Sequence, residues 1–192
     1  MKKIVVATGN KEKLNEIREI FSDYEVLSIK DFSISLDIEE DQPTFEGNAL
    51  KKATEYSLAL GTACIADDSG IQIKALGDFP GVKTARWMQG TDKDRNIGIL
   101  EKLKDIPKEK RLCDFVTAIA LVDTLHNVEI VKVHTIRGTI STELRGTNGF
   151  GFDEIFELED GRTIAELSSE EKNSLSPRKM ALEDIRNEIL KI

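Results

Sequence analysis

The apolar run Ile4-Val5-Val6-Ala7 passes over Thr8-Gly9-Asn10 into a stretch that sets Leu14, Ile17, Ile20 and Phe21 on one helical face. The apolar period changes from that of a strand to that of a helix within a few residues, and the change recurs along the chain. Lys3–Thr8 reads as a strand, Lys11–Phe21 as a helix and Glu25–Ile29 as a second strand. Thr44 is a suitable N-cap for a helix running to about Leu60 and closed by Gly61. Asp92–Lys104 predicts another helix, and the β-branched runs Leu112–Val122 and Val128–Arg137 predict a long hairpin, extended by Thr139–Thr142. Ser168 with Glu171 matches a capping box, and a second helix start falls at Ser176-Pro177, ahead of an amphipathic stretch carrying Met180, Leu182, Ile185, Ile189 and Leu190. No linker, repeat or low-complexity tract interrupts this order, so residues 1–192 are expected to form one α/β domain.

Composition narrows the function classes. Apolar residues make up 40% and charged residues 32% of the chain, which describes a soluble globular protein and not a disordered one. No run is long and apolar enough for a membrane span, and the apolar stretch after Lys2 and Lys3 is too short for a secretory signal, so a cytoplasmic location is expected. Cys64 and Cys113 both lie in apolar segments, where packing is expected rather than a disulfide or a zinc site. The formal net charge of -8 disfavours nucleic-acid binding and leaves an anionic small ligand only where cations gather locally.

Four segments offer such chemistry. Thr8-Gly9-Asn10-Lys11-Glu12-Lys13, at a strand-to-helix joint, combines backbone N–H groups, a helix N-terminus and two lysines, although it is no Walker A loop. Ile65-Ala66-Asp67-Asp68-Ser69-Gly70 places two carboxylates at the end of a short strand, before a glycine turn, with Ile71–Ile73 as a hairpin partner. Side chains alternate along a strand, so one aspartate meets a ligand while the other holds the turn or a cation. The acidic loop Asp37–Pro43 brings Glu39 and Glu40, either of which can join Asp68 around magnesium. Gly146–Asp153 sets Phe150 and Phe152 among glycines beside Asp153, where an aromatic face can lie on a base or can plug a core. Lys172, Arg178 and Arg86 are further candidate cations.

In order, Thr-Gly-Asn-x-x-Lys, Phe-Glu-Gly-Asn-Ala, Ala-Asp-Asp-Ser-Gly, Phe-Pro-Gly-Val-x-x-Ala-Arg, Gly-Phe-Gly-Phe-Asp and Glu-Glu-Lys-Asn-x-x-Ser-x-Arg resemble the inosine/xanthosine triphosphate pyrophosphatase family, from Thr8 to Arg178. The resemblance implies an elongated α/β fold with a long mixed sheet and two lobes around a central cleft. It also implies a cytoplasmic homodimer that uses Mg2+ to cut ITP, dITP and XTP to monophosphate and pyrophosphate. Carried over by position, Thr8, Gly9, Asn10, Lys11, Glu12 and Lys13 resemble the triphosphate loop. Asp68 resembles the residue that binds metal and accepts the proton of the attacking water, and Glu39 aligns best with the metal-binding glutamate, with Glu40 its rival. Ser69 would contact substrate, and Lys52 and Arg86 are added phosphate cations. Phe150, Gly151, Phe152, Asp153, Lys172, Pro177 and Arg178 resemble the base and sugar pocket. Two departures stand out: Phe152 replaces the usual tyrosine, and Pro177 replaces a histidine, which removes any contact from that ring. The alternatives are a Maf-like pyrophosphatase of pyrimidine or modified nucleotides and a nucleotide-binding regulator without catalysis. The Lys172 and Arg178 pattern argues against the first, and Asp68, Lys13 and Glu39 argue against the second.

Overall fold

Strand β1 (Lys3–Val6) buries Ile4, Val5 and Val6 completely enough to demand cover on both faces, and its neighbours supply it. The computed structural model describes residues 3–34 and 36–190. Helix α1 (Lys11–Ile20) follows β1 and returns the chain to β2 (Glu25–Ser28), which pairs with β1 in parallel, Val5 opposite Leu27. Helix α2 (Phe45–Leu60) is capped by Thr44 as expected and ends at Gly61 in the left-handed conformation, where glycine carries no Cβ penalty. It delivers the chain to β3 (Cys64–Ile73), parallel to β1.

β3 departs from expectation. It is one strand of ten residues through Asp67-Asp68-Ser69-Gly70, so that segment is not a turn, and Ile71–Ile73 continues the strand instead of returning along it. Aspartate beside glycine favours turns when its side chain must bond locally. Here partners remote in sequence hold both carboxylates, and sheet pairing keeps the backbone extended. The antiparallel partner of Gln72 and Ile73 is β4 (Phe79–Pro80).

The remaining elements are α3 (Asp92–Leu103), β5 (Leu112–Asp123), β6 (Val128–Ile140), β7 (Phe156–Glu157), α4 (Ser169–Leu175) and α5 (Pro177–Ile189). β6 runs without a break to Ile140, and β7 is only two residues long. The mixed sheet has the order β2-β1-β3-β5-β6-β7, with β4 beside β3. The predicted capping box forms at α4: Ser168 N–H donates to Glu171 and Glu171 N–H donates to the Ser168 hydroxyl. Pro177 opens α5, where its missing N–H leaves nothing unsatisfied. Among the described residues no helix is long and apolar enough to cross a membrane.

The chain divides into two compact units: residues up to Asp68 with Thr117–His134 and the chain from Pro177, and Ser69–Val116 with Thr135–Ser176. The first unit buries Ile17 and Phe21 of α1 and Ala181, Leu182 and Ile185 of α5 against Ile4, Val6, Ile65, Ile119 and Leu121 of the strands. The second packs Ile99 and Leu103 of α3 with Ile71, Ile73, Cys113, Ile140, Ile155 and Phe156. Cys64 and Cys113 are free and buried, and burial pushes both thiols up to about 12, so they act as small apolar side chains. In the second unit Arg111 is buried and donates to the carbonyls of Leu103, Ile106 and Ser141, tying the end of α3 to the end of β6.

The pairing of β6 with β7 depends on a glycine. A Cβ at Gly138 would lie 2.4 Å from the Glu157 carbonyl oxygen and 2.8 Å from the Phe156 ring. Backbone cannot retreat as a flexible side chain can, so Gly138→Ala is expected to destabilise the protein by about 2 kcal/mol or more. Urea unfolding followed by circular dichroism measures this, and an unchanged midpoint would show that the strands separate freely.

Candidate active site

In the first unit the chain leaves β1 through Thr8-Gly9-Asn10. The Thr8 hydroxyl accepts from Asn10 N–H at 3.2 Å, and the Asn10 side chain accepts from Lys13 N–H at 3.1 Å, which starts α1 at Lys11. Lys11 is exposed, and the Glu12 side chain lies outside the described residues. The loop borders a pocket of about 310 Å³ whose other walls bring Arg18 of α1, Ser28 at the end of β2 and Lys30 just beyond it. Lys30 Nζ donates to the Gly9 carbonyl at 2.9 Å. Sequence reading missed Arg18 and Lys30, since only the parallel pairing of β2 with β1 carries residue 30 to residue 9.

Asp67 and Asp68 meet different elements, as alternation along β3 requires. The Asp67 side chain is 4% exposed, faces Lys13 Nζ at 2.5 Å and has Arg178 Nε at 3.7 Å. Burial by itself would raise its pKa, but the charges of Lys13, Arg178 and Lys52 and the Lys13 hydrogen bond outweigh burial and hold it at about 2. Asp68 accepts from Asn48 Nδ2 of α2 at 2.9 Å. Burial pushes its carboxyl up to about 6; the Asn48 hydrogen bond and Lys52 oppose the rise, and Glu40 and Asp67 add to it.

The acidic loop is resolved by helical spacing on α2. Asn48 and Lys52 are four residues apart and share a face. Lys52 Nζ meets Glu40 at 2.5 Å and the Asp67 carbonyl at 3.2 Å, so Glu40 belongs to the Asp68 group. Lys51 lies one step round the helix, where it takes Asp41 and the carbonyl of Glu39, whose side chain is exposed. The glutamate beside Asp68 is therefore Glu40 and not Glu39. Among the described residues no group of three or more His, Cys, Asp or Glu forms a metal cage. Two hard carboxylates, one of them held above its normal pKa by burial, still suit a cation that takes its other ligands from phosphate and water.

Arg178 is buried and donates to Glu16 at 3.0 Å as well as facing Asp67, so its partners are carboxylates of the first unit. Pro177 beside it is buried at the start of α5.

In the second unit Phe152 is 5% exposed and packs in the core with Ile155 and Phe156, so it plugs the interior and offers no stacking face. Phe150 does: its ring is exposed, with Lys172 Nζ 4.6 Å from the centroid. Asp153 is buried, accepts from Phe150 N–H at 2.9 Å and pairs with Lys172 at 2.6 Å. Gly149 has φ +86°, and a Cβ there would fall 2.0 Å from Asp153 Oδ2, so the turn requires glycine. Ser69 is half-buried on β3, and Arg86 is exposed, donating to the Val82 carbonyl at 3.0 Å within its own loop.

The Asp67 cluster has a pH signature. Its folded pKa lies below the ordinary aspartate value of 3.8, so its stabilisation is present above about pH 4 and is lost as pH falls towards about 2. Asp67→Asn leaves Lys13 and Arg178 facing an uncharged amide and should cost about 3 kcal/mol at pH 7. Urea unfolding of both proteins should show that gap closing as pH falls from 4 to 2; a gap independent of pH would reject the cluster as the cause.

The Ham1 family signature matches residues 4–188. A dITP/XTP pyrophosphatase of Symbiobacterium thermophilum is 39% identical over 183 residues, covering 94% of this chain and 91% of the relative. One of Bacillus cereus is 42% identical over 195 residues, covering 98% and 95%. A solved HAM1 protein from Coxiella burnetii superposes with a TM-score of 0.92 at 36% identity and covers 100% of both chains. A fold shared end to end, with a family signature spanning nearly all of β1 to α5, places this chain in the Ham1 family.

Proposed function

We propose that the protein hydrolyses deaminated purine nucleoside triphosphates, ITP, dITP and XTP, to the monophosphate and pyrophosphate. The observation that carries the reading is the Asp68 group, in which a carboxylate raised by burial stands with Glu40, Lys52 and Asn48. Near-full-length identity to relatives named dITP/XTP pyrophosphatase supports the substrate class.

Thr8–Asn10 and the N-terminus of α1 are assigned to the phosphates, since N–H groups and partial positive charge gather there. Lys13 and Lys52 already face Asp67 and Glu40, which orients each ammonium. Lys13 keeps 21% of its side chain exposed, enough to reach a phosphate oxygen. Asp68 Oδ2 is engaged by Asn48, which leaves Oδ1 to accept a proton. Water attacks the α-phosphorus, its proton passes to Asp68, and the bond to the bridging oxygen breaks so that pyrophosphate leaves beside the lysines. We assign Asp68 and Glu40 to a divalent cation, Mg2+, which when bound would neutralise phosphate oxygens and sharpen the electrophilic phosphorus.

Phe150, Lys172 and Asp153 are assigned to the base: the ring as a stacking face, the ammonium as a donor to a 6-oxo group. A 6-amino group would set donor against donor, a mismatch of about 1 to 3 kcal/mol. Arg178 is assigned to holding Asp67 rather than to the base. The family resemblance supports a cytoplasmic homodimer, which light scattering would report as twice the chain mass.

Pyrophosphate release from ITP, dITP, XTP, GTP and ATP with Mg2+ tests the reading. The three deaminated nucleotides should be cut at least about tenfold faster than ATP. Chelation should stop turnover and Mg2+ restore it, and equal rates on all five would rule out the assigned specificity. Asp68→Asn should lower kcat by about a thousandfold or more while nucleotide binding survives. Pro177→His, which restores a ring donor at the start of α5, should shift the relative rates on ITP, XTP, GTP and ATP; unchanged ratios would remove residue 177 from base choice.

A further inference from the structure

Helix α3 lies outside every residue assigned above, yet it grips the turn that carries Phe150. Asp92 Oδ2 accepts from Gly151 N–H at 2.8 Å, and Asn96 Nδ2 donates to the Gly151 carbonyl at 2.9 Å. Asp92 and Asn96 are four residues apart and so share one helical face, which lets a rigid element hold both backbone groups of a single residue. That residue has φ +65°, a conformation the chain does not adopt by default. Asp92 is itself oriented by Arg95 Nη2 at 2.7 Å, and Arg95 is anchored to the Gly90 carbonyl at 2.9 Å.

Asn96 is the more telling of the two. It is fully buried, its amino group reaches Gly151 and, at 3.4 Å, Glu154, and its carbonyl oxygen Oδ1 has no hydrogen-bond partner among the described residues. A buried acceptor without a partner is costly, so a side chain kept for packing alone would be better apolar. The donor end makes the contact that matters, and it points at the turn.

We propose that Asp92 and Asn96 are positioning residues for base selection: they hold the two peptide groups on either side of the Gly151 Cα, and with them the Phe150 ring, in the place where it meets the purine. This rests on the reading of Phe150, Asp153 and Lys172 as the base site. The grip acts on the base and not on the phosphates, so its loss raises KM for ITP and narrows the preference for ITP over ATP while leaving phosphate binding alone.

The experiment uses the full-length protein with Mg2+ and the variants Asp92→Ala, Asn96→Leu and Asp92→Asn. The first two should raise KM for ITP about tenfold and lower the ITP to ATP ratio of kcat/KM by a similar factor. Inhibition by inorganic pyrophosphate, which reads the phosphate groups alone, should stay within about twofold. Asp92→Asn keeps an acceptor for the Gly151 N–H and should restore wild-type selectivity. Should Asn96→Leu fail to fold, Asp92→Ala decides the matter. The proposal is overturned if selectivity is unchanged in a folded Asp92→Ala, or if pyrophosphate inhibition weakens in step with KM. A wild-type protein that does not cleave ITP sinks the functional reading itself, whereas a wild type that does, with variants that match it, sinks only the grip.

Discussion

A β-strand turns successive side chains to opposite faces, and in β3 that rule acts on two adjacent carboxylates. Asp67 is turned to Lys13 of α1 and Arg178 of α5; Asp68 is turned to Asn48 of α2. The same residue type then acquires opposite character. Lys13, Arg178 and Lys52 hold the first ionised, at about 2, while burial beside Glu40 pushes the second up to about 6. The first is a fixed anion that orders Lys13 and locks α5 to α1; the second retains an affinity for protons and cations. Neither role is available unless β3 stays straight through the pair.

The charged groups of the first unit follow from this arrangement. The net charge of -8 would repel a polyanion, so cations must be gathered against the overall field. Each is gathered by a carboxylate: Lys13 by Asp67, Lys52 by Glu40, Arg178 by Glu16 and Asp67. The pairs are only partly buried on the lysine side, which keeps the ammonium groups orientated without sealing them from a ligand. The second unit uses a different device. Its glycine-rich turn carries no cation of its own and is shaped from outside, by Lys172 and Asp153 and by the two residues of α3 that hold Gly151.

Legibility in the sequence tracks how local the deciding interaction is. Helix starts were readable because caps act over three or four residues: Thr44, Ser168 with Glu171, and Pro177 all stand where expected. The segment around Asp67 was misread as a turn because aspartate and glycine have turn chemistry only when nothing distant satisfies them, and Lys13 is 54 residues away. Phe152 looked like a stacking face for a similar reason. Its neighbours Gly151 and Asp153 are polar-loop residues, but the ring is inserted among Ile155, Phe156 and Ile164. Glu39 aligns best by sequence, with Glu40 its rival, but the face of α2 on which Lys52 emerges brings in Glu40.

The sequence by itself determined the α/β class, the order of the helices, and the six motifs that carry the family resemblance, because periodicity, caps and short motifs are written in contiguous residues. Tertiary structure alone decided which aspartate faces which partner, which glutamate joins Asp68, that Arg178 serves Asp67, and that Asp92 and Asn96 reach Gly151. Those outcomes depend on the parallel register of β1 with β3 and on the packing of α1, α2, α3 and α5 within their units. Contacts between residues dozens of positions apart are set by where whole elements come to rest, and no local pattern encodes that.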